Sequence, residues 1–80
     1  MPRVHGIDGP HHFFFTSFDC TEPPHVHVER DRRACKFWLE PLVLAWNDGF
    51  AAHELTRIRG TIRRYHGRIM EAWNEHCGRR

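Results

Sequence analysis

The chain has little that would commit it to a membrane, a disulfide scaffold or a strongly charged partner. Its 80 residues contain no apolar run long enough to cross a bilayer. The amino terminus lacks the basic-then-apolar pattern of a secretory signal. Cysteine is scarce: Cys20, Cys35 and Cys77 are an odd number without paired spacing, which argues against a disulfide framework. A reducing cytoplasm is the expected setting, and Cys35 is expected in the core. Charge of one sign is also lacking. The formal net charge of +2 falls short of the bias of a dedicated nucleic-acid binder, although eight histidines would raise it near pH 6. There are no repeats and no low-complexity segment.

What is present fits one domain over residues 1–80, with a β-rich part at 1–46 and a helical part at 50–77. A chain this short buries only about 60% of its unfolded surface, and its stability should be roughly 4–12 kcal/mol. A hydrophobic content of 40%, with six Phe and three Trp, suffices for one core sheltered by a single layer of helices.

The organising stretch is Pro23-Pro24-His25-Val26-His27-Val28-Glu29 with its return Ala34-Cys35-Lys36-Phe37-Trp38-Leu39-Glu40-Pro41. Two prolines hold the entry extended, and valines then alternate with polar residues at the period of a half-buried strand. If Cys35, Phe37 and Leu39 share the valine face, Val28 lies opposite Cys35 and Val26 opposite Phe37; a one-residue slip would bury Lys36. The link is then either a two-residue turn at Asp31-Arg32 or a four-residue loop from Arg30 to Arg33. With no glycine available for positive φ, the longer loop is expected. His25 pairs with Trp38, His27 with Lys36 and Glu29 with Ala34, so that these side chains form an exposed polar sheet face.

Around this hairpin, Val4 to Ile7 reads as an edge strand and His11 to Thr16 as a strand with Phe13 and Phe15 on one side and Phe14 on the other. Residues 17–24 form a loop. After Pro41, which marks a kink or an edge, Leu42 to Trp46 resumes an extended run, and Asn47-Asp48-Gly49 is a turn. Leu55, Ile58, Ile62, Tyr65, Ile69, Ala72 or Trp73, and His76 recur at helical spacing. Residues 65–67 either break this region into two helices, the expected arrangement, or bend a single one, with Gly78 as terminator and Arg79-Arg80 fraying. The expected fold is α+β: an antiparallel sheet of about four strands, then two C-terminal helices packed on one face. Its core joins Val26, Val28, Phe37, Leu39, Leu55, Ile58, Ile62, Ile69 and Trp73.

The candidate functional residues follow from this layout. His25, His27, Lys36 and Trp38 make the candidate binding surface, and His25, His27 and Glu29 are the candidates for any catalytic role. Two histidines and a carboxylate suit zinc or non-haem iron. Alternate strand residues, however, stand nearly 7 Å apart, so no metal and no cofactor are assigned. Arg57, Arg59, Arg63 and Arg64 are either a solvated shoulder of the first helix or a weak nucleic-acid-binding face.

Met1-Pro2, Ile7-Asp8-Gly9, Phe13-Phe14-Phe15, the Pro23 to Val28 stretch, Ala34 to Pro41, Gly49-Phe50 and Glu71-Ala72-Trp73-Asn74-Glu75 together resemble a small prokaryotic family, domain of unknown function 4160. The resemblance implies a protein-interaction module of a toxin–antitoxin-like pair, whose partner is a small protein encoded beside it, of the domain of unknown function 2442 type. A small nuclease or metal-dependent enzyme centred on His25 and His27 is the alternative. Relatives tend to carry serine after Gly-Phe; Ala51 stands there in this chain and cannot cap the helix.

Overall fold

The computed structural model describes residues 3–16 and 19–78. Four strands, β1 (His12–Phe14), β2 (His25–Arg30), β3 (Arg33–Leu39) and β4 (Leu42–Asp48), form one antiparallel sheet in the order β1-β2-β3-β4. Helices α1 (Ala52–Arg64) and α2 (His66–Cys77) follow, and a single 3₁₀ turn, Asp19–Thr21, interrupts the β1–β2 connection. This is the α+β arrangement expected. The β2–β3 register is also the one deduced from alternation: His25 faces Trp38, Val26 faces Phe37, His27 faces Lys36, Val28 faces Cys35 and Glu29 faces Ala34.

The hairpin link differs. Arg30 pairs with Arg33, leaving Asp31-Arg32 as a two-residue turn rather than the four-residue loop. Asp31 takes the positive φ (57°) without a glycine; aspartate tolerates that region better than most residues. Its carboxylate accepts a hydrogen bond from Arg33 at 3.1 Å, across the turn. The expected strand from Val4 to Ile7 is likewise reduced to one bridge, Arg3 to Phe14, with Val4 N–H donating to the Phe13 carbonyl. Gly6 takes a positive φ of 86° and ends the pairing there.

The sheet face bearing Val26, Val28, Cys35, Phe37 and Leu39 is covered by Ile58 and Ile62 of α1 and Ile69 and Trp73 of α2, all buried in one cluster with Phe13 and Phe15. Leu55, expected among them, is only partly buried at the margin. The row that faces the sheet is Glu54, Ile58, Ile62, at four-residue spacing. Burial pushes the Cys35 thiol up to about 12, with the Glu54 charge adding to the effect. Tyr65 (φ −104°, ψ 21°) separates the helices within the expected break, and Gly78 (φ 76°) ends α2. No side chain caps Ala51. Asn47 instead bonds both the N–H and the carbonyl of Phe50, so the end of β4 closes the entry to α1. Gly49 is needed between them. Its φ is +102°, and an added Cβ would stand 2.8 Å from Arg33 Cγ. The fraying expected of Arg79-Arg80 lies outside the described residues.

One irregularity decides the outer face of the sheet. Leu44 pairs with Phe37 but Trp46 pairs with Lys36, so Ala45 is an extra residue in β4. Such a bulge shifts side-chain phase by one residue. Val43 and Trp46, three apart in sequence, therefore share the face opposite the helices with Trp38 and Lys36. Without the bulge, Trp46 would point with Leu42 and Leu44.

Candidate functional site

The double proline delivers His25 as the first residue of β2, and the loop before it folds back over that end of the outer sheet face. A Cys20–Cys77 disulfide ties this loop to the end of α2. The scarcity of cysteine was thus a misleading guide, because residues 57 apart in sequence meet in space. The expectation of a reducing compartment loses the support it drew from unpaired thiols.

The polar face is less open than alternation implies. His25 is fully buried and Lys36 only 8% exposed, so neither belongs to an exposed binding surface as expected. The His25 ring lies edge-on to Trp38 (centroids 5.4 Å apart) and to His27 (5.2 Å), and 5.1 Å from Trp73. Lys36 Nζ donates to Glu22 at 2.6 Å and sits 4.4 Å from the centroid of the Trp38 ring. That bond, assisted by the lysine charge and opposed by desolvation, holds the Glu22 carboxyl below its ordinary value. His27 is half-buried, stacked on Phe14 at 5.4 Å.

The carboxylate that joins the histidines is Asp19, not Glu29. His25 Nε2 stands 3.0 Å and His27 Nε2 3.1 Å from the same oxygen, Asp19 Oδ1. These three ligand atoms lie within 4.8 Å of one another. Glu29 is exposed at the other end of β2, beside Arg3, His12 and Phe14. Asp19 is held by Thr16, whose N–H donates to Oδ2 (2.7 Å) and whose hydroxyl donates to Oδ1 (2.6 Å). Burial opposes its charge, but the Thr16 bonds, then the two imidazoles, outweigh it and keep the carboxyl well below the usual range. His25 Nδ1–H donates to the Pro23 carbonyl at 2.9 Å. Its Nε2 is off the line to Asp19 Oδ1 that a hydrogen bond requires, and this buried atom has no hydrogen-bond partner among the described residues.

Beside this cluster the outer face opens. Val43 and Trp46 are 46% and 45% exposed, and Pro23, Pro24, Trp38, Glu40, Pro41 and Val43 line a groove of about 300 Å³. The Glu40-Pro41 bond at the groove is cis.

A family model described as Domain of unknown function (DUF4160) matches residues 11–74, a span that contains the β1–β4 sheet, the Asp19 turn and most of both helices. The chain belongs to this family. No curated protein and no solved structure matches it. The match begins at His11, whose imidazole bonds a residue that sequence reasoning missed. Glu54 receives His11 at 2.9 Å, Arg30 at 3.0 Å and Arg33 at 3.3 Å, joining the loop before β1 and the β2–β3 turn to α1. The His11 bond, opposed by burial and reinforced by the two arginines, holds its carboxyl below the ordinary value. Helical spacing carried the signal, since Glu54 precedes Ile58 and Ile62 by four and eight positions. No comparable pattern marked Asp19.

The arginines expected to form a phosphate-binding face divide. Arg57, Arg63 and Arg64 are exposed. Arg59 is committed to the fold, its guanidinium 5.0 Å from the Phe37 ring centroid and donating to the Leu42 carbonyl at 3.1 Å. No helix among the described residues is long and apolar enough to cross a membrane.

Proposed function

We infer that the chain is a protein-interaction module, one member of a toxin–antitoxin-like pair, and that its partner docks on the outer sheet face at Trp38, Val43 and Trp46. The observation that carries this reading is the exposure of Val43 and Trp46 side by side, next to an apolar groove. Isolated exposed hydrophobics are ordinary, but an exposed Val43 lining an apolar groove with Trp38, with an exposed tryptophan on the same sheet face, has the character of an interface anchor. The two sheet edges differ in the same sense. The β1 edge is covered in part by the Arg3–Val4 segment, whereas no strand pairs the outer side of β4 among the described residues.

Charge selects the class of partner. Glu40 is the one charged residue lining the groove, Glu22 being paired with Lys36, while Arg57, Arg63 and Arg64 lie on α1, in the helical layer. A carboxylate at an otherwise apolar groove disfavours phosphates and suits a polypeptide segment with an apolar anchor and a basic flank. The family resemblance supplies the candidate, the small protein of the domain of unknown function 2442 type encoded beside such genes. The enzymatic alternative is less well supported, since a general base must reach its substrate and His25 is fully buried.

Co-expression of the chain with its genomic neighbour, followed by size-exclusion chromatography and growth scoring, tests the reading. A co-eluting complex that Trp46→Ser or Val43→Ser breaks is expected, with the variants folded. Separate elution, or a complex indifferent to both substitutions, would overturn it.

A further inference from the structure

We propose that Asp19 Oδ1, His25 Nε2 and His27 Nε2 form a binding site for a divalent transition-metal ion of the zinc class. The site stands independently of the partner reading. Zinc bonds to imidazole nitrogen and carboxylate oxygen are about 2.0–2.1 Å long, which puts neighbouring ligand atoms of a tetrahedron about 3.3 Å apart. The two nitrogens stand 3.0 and 3.1 Å from Asp19 Oδ1, close to that edge length. The obstacle seen along β2 alone, a separation of nearly 7 Å between alternate residues, is removed by side-chain convergence on the third group from the loop.

The surrounding hydrogen bonds are those a metal site requires. Nδ1–H of His25 is spent on the Pro23 carbonyl, so in the neutral ring Nε2 carries the lone pair, 3.0 Å from Asp19 Oδ1 and directed off the line to it, as two ligands of one ion stand. Without a cation, this buried nitrogen stands 3.0 Å from a carboxylate oxygen and has no hydrogen-bond partner among the described residues. Leaving such an atom unsatisfied is costly; a metal ion would give it a partner, and would take the place of the proton through which His27 Nε2 now bonds Asp19 Oδ1 at 3.1 Å. Thr16 bonds both Asp19 oxygens and fixes the carboxylate plane, as outer partners of metal ligands do.

A second set of donors, Cys20, His76 and Cys77, is already engaged. Its sulfurs form the disulfide, and His76 Nε2 donates to the Thr16 carbonyl at 2.9 Å. The disulfide instead holds the Asp19 turn against α2, next to the residues that would close on the ion. With three ligands drawn from the loop and the strand, the ion clamps residues 19–25 onto the sheet and so fixes Pro23 and Pro24 at the edge of the groove.

The test uses the full chain, untagged, with its disulfide intact and freed of metal by chelation, titrated with zinc. Calorimetry should give one ion per chain. Long-range proton–nitrogen spectra should show Nε2 of both His25 and His27 moving to metal-bound shifts while Nδ1 of His25 keeps its proton. His27→Gln alters a half-buried side chain and is expected to fold; it should weaken zinc by more than about 100-fold, beyond the loss of an outer hydrogen bond. His12→Gln, on an exposed histidine of the adjacent strand, should not weaken it. Unmoved Nε2 resonances in the wild type would overturn the proposal. So would equal affinity in His27→Gln, or binding that appears only after reduction, with thiolate charge-transfer bands on cobalt substitution.

Discussion

Replacing Ile62 by alanine tests how the helices are seated on the sheet. Ile62 is fully buried in the cluster that joins Val26, Val28 and Phe37 to Ile58 and Ile69. Truncating a buried isoleucine costs roughly 2–5 kcal/mol, from lost transfer free energy and the cavity left behind. A domain of this size has roughly 4–12 kcal/mol to lose. With a cost of about 3 kcal/mol, and a shift of about 6 °C per kcal/mol for a short chain, Tm should fall by about 18 °C. Urea denaturation followed by tryptophan fluorescence should show a lower midpoint with an unchanged slope. Leu55→Ala supplies the comparison, because Leu55 fits the same apolar stripe in sequence but is only partly buried. Its cost should be about half. An unchanged midpoint for Ile62→Ala, or a larger loss for Leu55→Ala, would refute the rotational setting that faces Glu54, Ile58 and Ile62 to the sheet.

Three further outcomes follow from other parts of the molecule. Reducing the Cys20–Cys77 bond, or replacing both cysteines by serine, opens a loop of 57 residues' separation; chain entropy assigns this about 4 kcal/mol, readable as a lower Tm with reductant and no further effect of reductant on the double variant. Glu54 has its folded pKa lowered from 4.5, so its contribution is present above that value and lost as pH falls below it toward the folded value. Glu54→Gln should therefore be less stable than wild type near pH 6, with the gap narrowing below about pH 4.5, as read by melts across pH. Arg59→Ala should cost about 1–2 kcal/mol through its contacts with Phe37 and the Leu42 carbonyl, whereas Arg57→Ala should stay within about 0.5 kcal/mol in the same denaturation assay.

The parts of the fold that were legible in sequence were those governed by a local period. Alternation in Val26–Val28 and in Cys35–Leu39 set the β2–β3 register, and three- and four-residue spacing located both helices and most of their buried rows. The hairpin turn was not legible, because the positive φ that glycine most often supplies is adopted here by Asp31. The site was half legible. His25 and His27 could be singled out, but their burial depends on residues 19–24 folding back over the sheet, a long-range event with no period of its own. Asp19 and the Cys20–Cys77 pairing belong to that event. Trp46 was hidden for a different reason: one extra residue at Ala45 inverts the side-chain phase, and a bulge leaves no mark in a uniformly apolar run.

The central claim is that the outer sheet face, rather than the arginine-bearing helix, meets the partner. A chemical-shift footprint of the labelled chain titrated with its neighbour-encoded protein tests it most directly. The Trp46 indole, the Val43 methyls and the Trp38 indole should shift or broaden on binding, while the amides of Arg57, Arg63 and Arg64 keep their free positions. Perturbations concentrated on α1, with Trp46 and Val43 unmoved, would contradict the account.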